Sequence, residues 1–310
     1  MRLAFLGSGE FGLPTLKLLA QKHSVVGVVS QPDRPAGRGG KLTATPIGAW
    51  AAQSLTDVPL VKPEDVNEPG VTALVRSWAF DVMVVIAFGQ KLSPPLLAGV
   101  KAINLHASLL PRWRGAAPIN WAILGGDTET GNSVISLADR MDAGLIYAQS
   151  KRAIPMDVTA GELHDQLSAD GPELVGGVLD AFAAGTAQGR PQDETLKTRA
   201  PKLSREMAVI DLAGSAEECR RRINGLSPWP GVTVRFRGES LKVLRATVGE
   251  GAVGEAGAIV DPGQGLVSCG QGVLKLLEVQ PPGKRAMAWR DFANGHNVKS
   301  QEVMLGGLAC

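Results

Sequence analysis

Short apolar runs alternate with stretches of helical spacing through the first part of the chain. Residues 1–6 form the first run, Val25 to Ser30 the second, and Asp81 to Ala87 the most continuous. Leu13 to Leu19, Ile47 to Ser54 and Val71 to Trp78 read as helices between them, with a short strand at Val58 to Val61. A run apolar at every position, without alternation, is the pattern of a parallel strand covered on both faces. Farther on, Ala102 to Leu105 and Ser133 to Leu137 read as strands, Ile119 to Leu124 as a helix, and Ala160 to Ala184 as a long helix that packs on the sheet. Strands alternating with helices predict an α/β domain around a mostly parallel sheet.

The pattern changes after Gly185. Gly185 to Leu203 is rich in Gly, Pro, Gln, Asp, Thr and Lys and reads as a linker. A helix at Ala216 to Asn224 follows, then five short strands: Val232–Arg237, Leu241–Val248, Ala256–Val260, Gly265–Ser268 and Gly272–Val279. Glycine turns separate them, which suggests a small OB-like β-barrel. The expected organisation is a first domain over 1–184, a linker over 185–203 and a second domain over 204–310.

Composition narrows the class. A chain that is 44% hydrophobic and 20% charged can bury a good core. No apolar run approaches the roughly 20 residues needed to span a bilayer, and the N-terminus turns glycine-rich too soon for a signal peptide. A cytoplasmic location is expected. Cys219, Cys269 and Cys310 are far apart and show no metal or disulfide spacing. The net charge of +2 is uninformative, but between Leu196 and Arg245 there are 11 Lys and Arg against 5 Asp and Glu. That local excess favours a polyanionic partner.

Two glycine-rich stretches carry candidate chemistry. Gly7-Ser8-Gly9-Glu10-Phe11-Gly12, between a strand and a helix, has the G-x-G-x-x-G spacing of a dinucleotide site, with Asp33 as the candidate ribose acid. Asp33 sits in a Q-P-D-R-P turn rather than at a strand tip, which counts against that reading. The loop Q-P-D-R-P-A-G-R-G-G-K-L from Gln31 carries Arg34, Arg38 and Lys41, and no acid follows Asp33 before Asp57. A basic, glycine-rich loop suits a phosphate backbone.

The most informative stretch runs from Lys101 to Ile123. Asn104 and His106 lie two residues apart on a strand and so project to one side. An imidazole can hold or pass a proton near neutral pH, and an amide N–H can stabilise an oxygen that gains charge. N-x-H-x-S-L-L-P followed by R-x-R-G-A-A-P-I resembles the signature of the folate-dependent formyltransferases. The resemblance implies a Rossmann-like catalytic domain, catalytic roles for Asn104 and His106, and folate contact through Ser108, Leu109, Leu110 and Pro111. Asp142, which opens D-A-G, matches the family's third catalytic position, while Asp139 has no counterpart there. The family's nucleic-acid loop falls on Arg34, Arg38 and Lys41, with Gly40 where relatives often carry a second lysine, and Leu145 stands where they often carry Asp or Pro. P-W-P-G at Pro228 to Gly231 and Q-P-P-G-K-R-A-M at Gln280 to Met287 extend the likeness into the second domain.

Formyl transfer from 10-formyltetrahydrofolate to the methionine amine of initiator methionyl-tRNA is therefore the expected function, by a monomer and without a metal. A glycinamide ribonucleotide formyltransferase would stop near the linker. A sugar-nucleotide N-formyltransferase would keep the first domain without the R-P-A-G-R-G loop. A nucleic-acid-binding protein on an inactive scaffold has no need of an intact Asn104, His106 and Asp142.

Overall fold

The computed structural model describes residues 1–37 and 39–306. By proximity in space the chain divides into two compact units, each drawing on more than one segment. The first comprises Met1–Arg114, Gly131–Arg152 and His164–Arg199; the second comprises Gly115–Thr130, Ala153–Leu163 and Ala200–Cys310.

A seven-stranded sheet organises the first unit. Its strands are β1 (Arg2–Gly7), β2 (Ser24–Val29), β3 (Leu60–Val61), β4 (Val82–Ile86), β5 (Ala102–His106), β6 (Glu129–Ser136) and β7 (Ile146–Ala153), in the order β7-β6-β5-β4-β1-β2-β3. β1 to β5 pair in parallel, and β6 joins β5 antiparallel. The sheet is thus mostly parallel, as the alternating pattern predicts. Leu3 to Leu6 and every residue of β4 are buried, which accounts for the unbroken apolar runs. Gly27 on β2 is required by packing: a Cβ there would lie 2.2 Å from the Trp78 ring.

Register sets the level of the site. Gly7 opposes Ile86 and Asn104 opposes Val85. The first glycine turn, Ala87 and His106 therefore emerge together at the carboxyl ends of neighbouring parallel strands, where open α/β sheets hold their ligands.

The second unit contains β8 (Val232–Phe236), β9 (Glu239–Gly249), β10 (Ile259–Asp261), β11 (Leu266–Ser268), β12 (Val273–Gln280) and β13 (Met304–Gly306), in the antiparallel order β10-β11-β12-β9-β8-β13. A bridge between Ala258 and Val303 joins the two ends of that order, with backbone bonds from Ile259 N to Glu302 O and from Met304 N to Gly257 O, both 2.8 Å. The sheet closes on itself as a small barrel. Its helix Ala216–Gly225 starts in a capping box: Ser215 Oγ accepts from Glu218 N, and the Glu218 carboxylate accepts from Ser215 N. Trp121 and Leu124, from the helix Pro118–Leu124, pack against the barrel core, and Asn120 donates to Gly225 O at 2.8 Å.

The basic excess between Leu196 and Arg245 is partly spent internally. Arg220 and Arg221 share Glu217, Arg237 holds Glu302, Arg245 holds Glu162, and Arg222 donates to the carbonyls of Val209 and Met207. Lys202, Arg205 and Arg235 stand exposed. Cys219 and Cys269 are buried, free thiols; Cys310 lies outside the described residues.

Candidate active site

Asn104 and His106 lie on one side of β5, half-buried and buried respectively. His106 Nε2 is 2.9 Å from Trp113 O. A carbonyl oxygen can only accept, so Nε2 carries a proton and donates it there. Nδ1 faces Asp142 Oδ2 at 3.7 Å, an ion-pair distance rather than a hydrogen bond. Protonating Nδ1 would turn a lone pair facing a carboxylate into an attraction. Asn104 differs from its neighbour, because its amide has no hydrogen-bond partner among the described residues. One donor is therefore open to a ligand. The second, the Nε2 proton, reaches a ligand only by leaving Trp113 O.

Both partners of the imidazole depend on unusual backbone. Trp113 has φ 61° and Asp142 φ 53°, a region that disfavours side chains but that Asp tolerates better than most residues. The Asp142 loop is drawn in at its neck. Ser136 N donates to Leu145 O, Leu145 N donates to Ser136 Oγ, both 2.9 Å, and a Cβ on Gly144 would sit 1.7 Å from Ser136 O. The glycine of D-A-G is thus there for close backbone approach. Asp139 is exposed.

The S-L-L-P turn is tied from within. Ser108 is fully buried, and its hydroxyl donates to Arg112 O at 2.6 Å. Ser133 Oγ donates to Ser108 O at 2.6 Å and accepts from Leu110 N and Gln149 Nε2. Leu110 packs with Ile135 and Ile146, while Leu109 stays half-buried. The Leu110–Pro111 bond is cis.

The two glycine-rich stretches part ways. Gly7 and Gly12 pack against Phe5 and Ile86, Ser8 N donates to Ala87 O, and Ser8 Oγ bonds to Phe88 O and Gln31 N. Asp33 is held by Lys62 at 2.6 Å. The glycine turn is a packed corner, and the candidate ribose acid is already engaged. Arg34 and Lys41 lie on an exposed antiparallel hairpin, Arg34–Ala36 with Lys41–Thr43; Arg38 lies outside the described residues. The expectation of a loop without a compensating acid needs one correction: Glu64, thirty residues onward, pairs with Arg34. Sequence distance hid it.

Comparison with known proteins fits this geometry. Residues 1–179 match the formyl transferase family and residues 202–297 its C-terminal domain. The chain belongs to the formyl transferase family. A methionyl-tRNA formyltransferase from Moorella thermoacetica is 39% identical over 310 residues, covering 98% of this chain and 99% of the relative. Among solved structures, HypX from Aquifex aeolicus in complex with tetrahydrofolic acid aligns with TM-score 0.65 at 16% identity, covering 97% of this chain and 48% of that one. WlaRD, a sugar 3N-formyl transferase solved with dTDP and 5-N-formyl-THF, aligns with TM-score 0.70 at 13% identity over 92% and 99%. These two share the fold with this formyl transferase.

Sequence reading missed the residues that hold the imidazole and its carboxylate in place. Arg114, buried, donates from Nε and Nη2 to Gln192 Oε1 at 3.0 and 2.7 Å, and from Nη2 to Glu194 Oε1 at 2.7 Å. Arg140 takes the other Glu194 oxygen at 2.7 Å. Arg114, then Arg140, hold the Glu194 carboxyl down to about 2. Thr198 Oγ1 accepts from Trp113 N at 2.8 Å. The R-W-R run was the only local signal for any of these contacts. Two other histidines make local contacts: His164 bonds Asp165 and meets Phe11 edge-on, and His296 stacks on Phe292. No helix among the described residues is long and apolar enough to cross a membrane.

Proposed function

We propose that this formyl transferase moves the formyl group of 10-formyltetrahydrofolate to the amino group of methionine on initiator methionyl-tRNA, acting in translation initiation as a cytoplasmic monomer. The observation that carries the reading is the open Asn104 amide beside an imidazole held between Asp142 and Trp113 O. Likeness over the full length to a methionyl-tRNA formyltransferase supports the acceptor.

The donor set fits an acyl oxygen. Bound formylfolate supplies an electrophilic formyl carbon. Asn104 donates toward the oxygen that gains charge, and His106 joins it by turning Nε2–H from Trp113 O to the same oxygen. One preorganised donor of this kind contributes about 3–4 kcal/mol to the transition state. The amine forms its bond to the formyl carbon, and the folate nitrogen's bond to that carbon breaks. Asp142, behind Nδ1, stabilises the positive imidazolium and relays the amine's proton through water to the folate nitrogen, which leaves as tetrahydrofolate. Ser108 and Leu110 shape the turn from within, so Leu109, Pro111 and the backbone are the parts of S-L-L-P left to face the folate. Arg34, Arg38 and Lys41 grip the tRNA backbone, together with the exposed cations of the second unit.

The test measures formyl transfer from 10-formyltetrahydrofolate to charged initiator tRNA, uncharged initiator tRNA and a dTDP-amino sugar. Transfer to charged tRNA alone is expected. Transfer to the sugar alone would replace the reading with a sugar-nucleotide N-formyltransferase.

A further inference from the structure

Arg190 to Thr198, inside the stretch that composition reads as a linker, follows both sides of the imidazole. Arg190 exchanges two backbone bonds with Ile146, of 2.8 and 2.9 Å, just past the Asp142 loop. Thr198 holds Trp113, whose carbonyl accepts from His106 Nε2–H. Between these anchors, Gln192 Nε2 donates to Asp142 O at 2.7 Å and to Gly144 O at 2.8 Å.

We propose that Gln192, oriented by Arg114, is a positioning residue for formyl transfer that keeps Asp142 against His106. The inference rests on the catalytic reading of that pair. Two carbonyls converging on one point repel each other unless a donor stands between them, and the Gln192 amide is that donor. Its orientation is fixed chemically. A flipped amide would aim its oxygen at both carbonyls and its NH2 at a guanidinium, four unfavourable contacts in place of four hydrogen bonds. Arg114 cannot drift, being buried and held by Glu194 as well. Asp142 has left-handed backbone, and its side chain reaches the imidazole only while residues 142–144 keep their place. The Gln192 bonds therefore stand between a far segment and the reacting group, 50 residues apart in sequence.

The test uses the full chain and the variants Gln192→Ala, Gln192→Glu, Asp142→Asn and Asp142→Asn/Gln192→Ala. Gln192→Glu is nearly isosteric and still accepts from Arg114, but it cannot donate to the two carbonyls. Both single Gln192 variants should lower kcat by roughly 10- to 100-fold, the scale for a reacting group displaced by about 1 Å. The KM for tRNA should stay near that of the unaltered protein, while the melting temperature falls with the lost Gln192 hydrogen bonds, so each kcat is measured where circular dichroism shows the variant folded. On the Asp142→Asn background, Gln192→Ala should add no further loss, because the residue acts through Asp142.

A readout without turnover separates this inference from the functional reading. In NMR spectra of the folded chain, the His106 ring 15N resonances should shift in Gln192→Glu in the direction seen in Asp142→Asn. If that shift occurs while the unaltered protein transfers no formyl group, positioning stands and the functional reading falls. Unshifted His106 resonances in a folded Gln192→Glu variant would overturn the inference. So would a wild-type kcat in Gln192→Ala, or losses that multiply in the double variant.

Discussion

The loop carrying Asp142 and the hairpin carrying Arg34 and Lys41 are both glycine-bearing connections with charged residues, and they are built in opposite ways. The first is cinched at Ser136 and Leu145, pressed so close that Gly144 has no room for a Cβ, and bound through its carbonyls to Gln192. The second is exposed throughout its described residues. Gly37, Gly39 and Gly40 have φ of 70°, 98° and 62°, and a Cβ on any of them would meet nothing within 4 Å. Glycine serves close approach in one and turn conformation in the other. The carboxylate proposed to support the reaction needs one position, since a small displacement already costs rate. A cation that meets a phosphate backbone acts through longer-range attraction and tolerates an open mount.

That contrast can be broken by experiment. The largest effect is expected at the site itself: Asn104→Ala and His106→Ala should each lower kcat by about 100-fold or more, the scale for one preorganised donor. Folate affinity, measured by fluorescence titration, should change little. Near-normal turnover in either variant would remove the pair from the chemistry.

Gly144→Ala comes next. Its methyl group would have to displace the Ser136 carbonyl, so destabilisation of about 1–3 kcal/mol, the usual cost of overpacking, should accompany a fall in kcat. Gly39→Ala should leave kcat unchanged. Equal effects of the two substitutions on kcat would dissolve the distinction between the loops.

On the hairpin, Lys41→Glu should raise the KM for tRNA and lower the slope of log affinity against log salt by about one unit for each phosphate no longer neutralised. Glu64→Gln should act the other way and more weakly. It frees Arg34, and because exposed ion pairs contribute only about 0–1 kcal/mol, tRNA affinity should rise by no more than a few-fold. An unchanged salt slope in Lys41→Glu would return the hairpin to an ordinary surface turn.

The smallest effect concerns Glu194. Its carboxyl is lowered from 4.5 to about 2, by Arg114 first and Arg140 second. A depressed acid adds stability in full above its ordinary value and loses it as pH falls through the lowered one. The melting difference between the unaltered chain and Glu194→Gln should therefore hold steady from pH 7 to 4.5 and vanish toward pH 2. A difference that grew on acidification would contradict the assignment.

How far the sequence was legible follows the same divide between local and distant contacts. β4 could be read because burial on both faces leaves a continuous apolar run from Val82 to Ile86. Asn104 and His106 could be placed on one side because a strand alternates. Asp142 was legible through its D-A-G neighbourhood, although no local pattern says that Gly144 must clear a carbonyl. Arg114 and Gln192 were illegible because they meet across 78 residues, and Gln192 sits in a segment whose composition resembles a connector. Glu64 escaped for the same reason, as did the partners of Arg237 and Arg245, whereas Glu217 lies only three and four residues before Arg220 and Arg221. Five of the six barrel strands on that path could be counted from their glycine turns, but β13 could not, and closure through Ala258 and Val303 joins segments with no mutual signature.

That closure bears on how the protein behaves in a crowded solution. A ring of strands offers no row of unpaired N–H and C=O groups to another chain, whereas an open sheet offers two. The protection depends on β13, three residues long, together with Gln301 and Glu302 just before it, which pair with Ile259. Cutting the chain before Gln301 would leave β8 and β10 as raw edges, each a template for pairing with a second copy. Such a shortened protein should self-associate by strand addition, even with every residue proposed for formyl transfer intact.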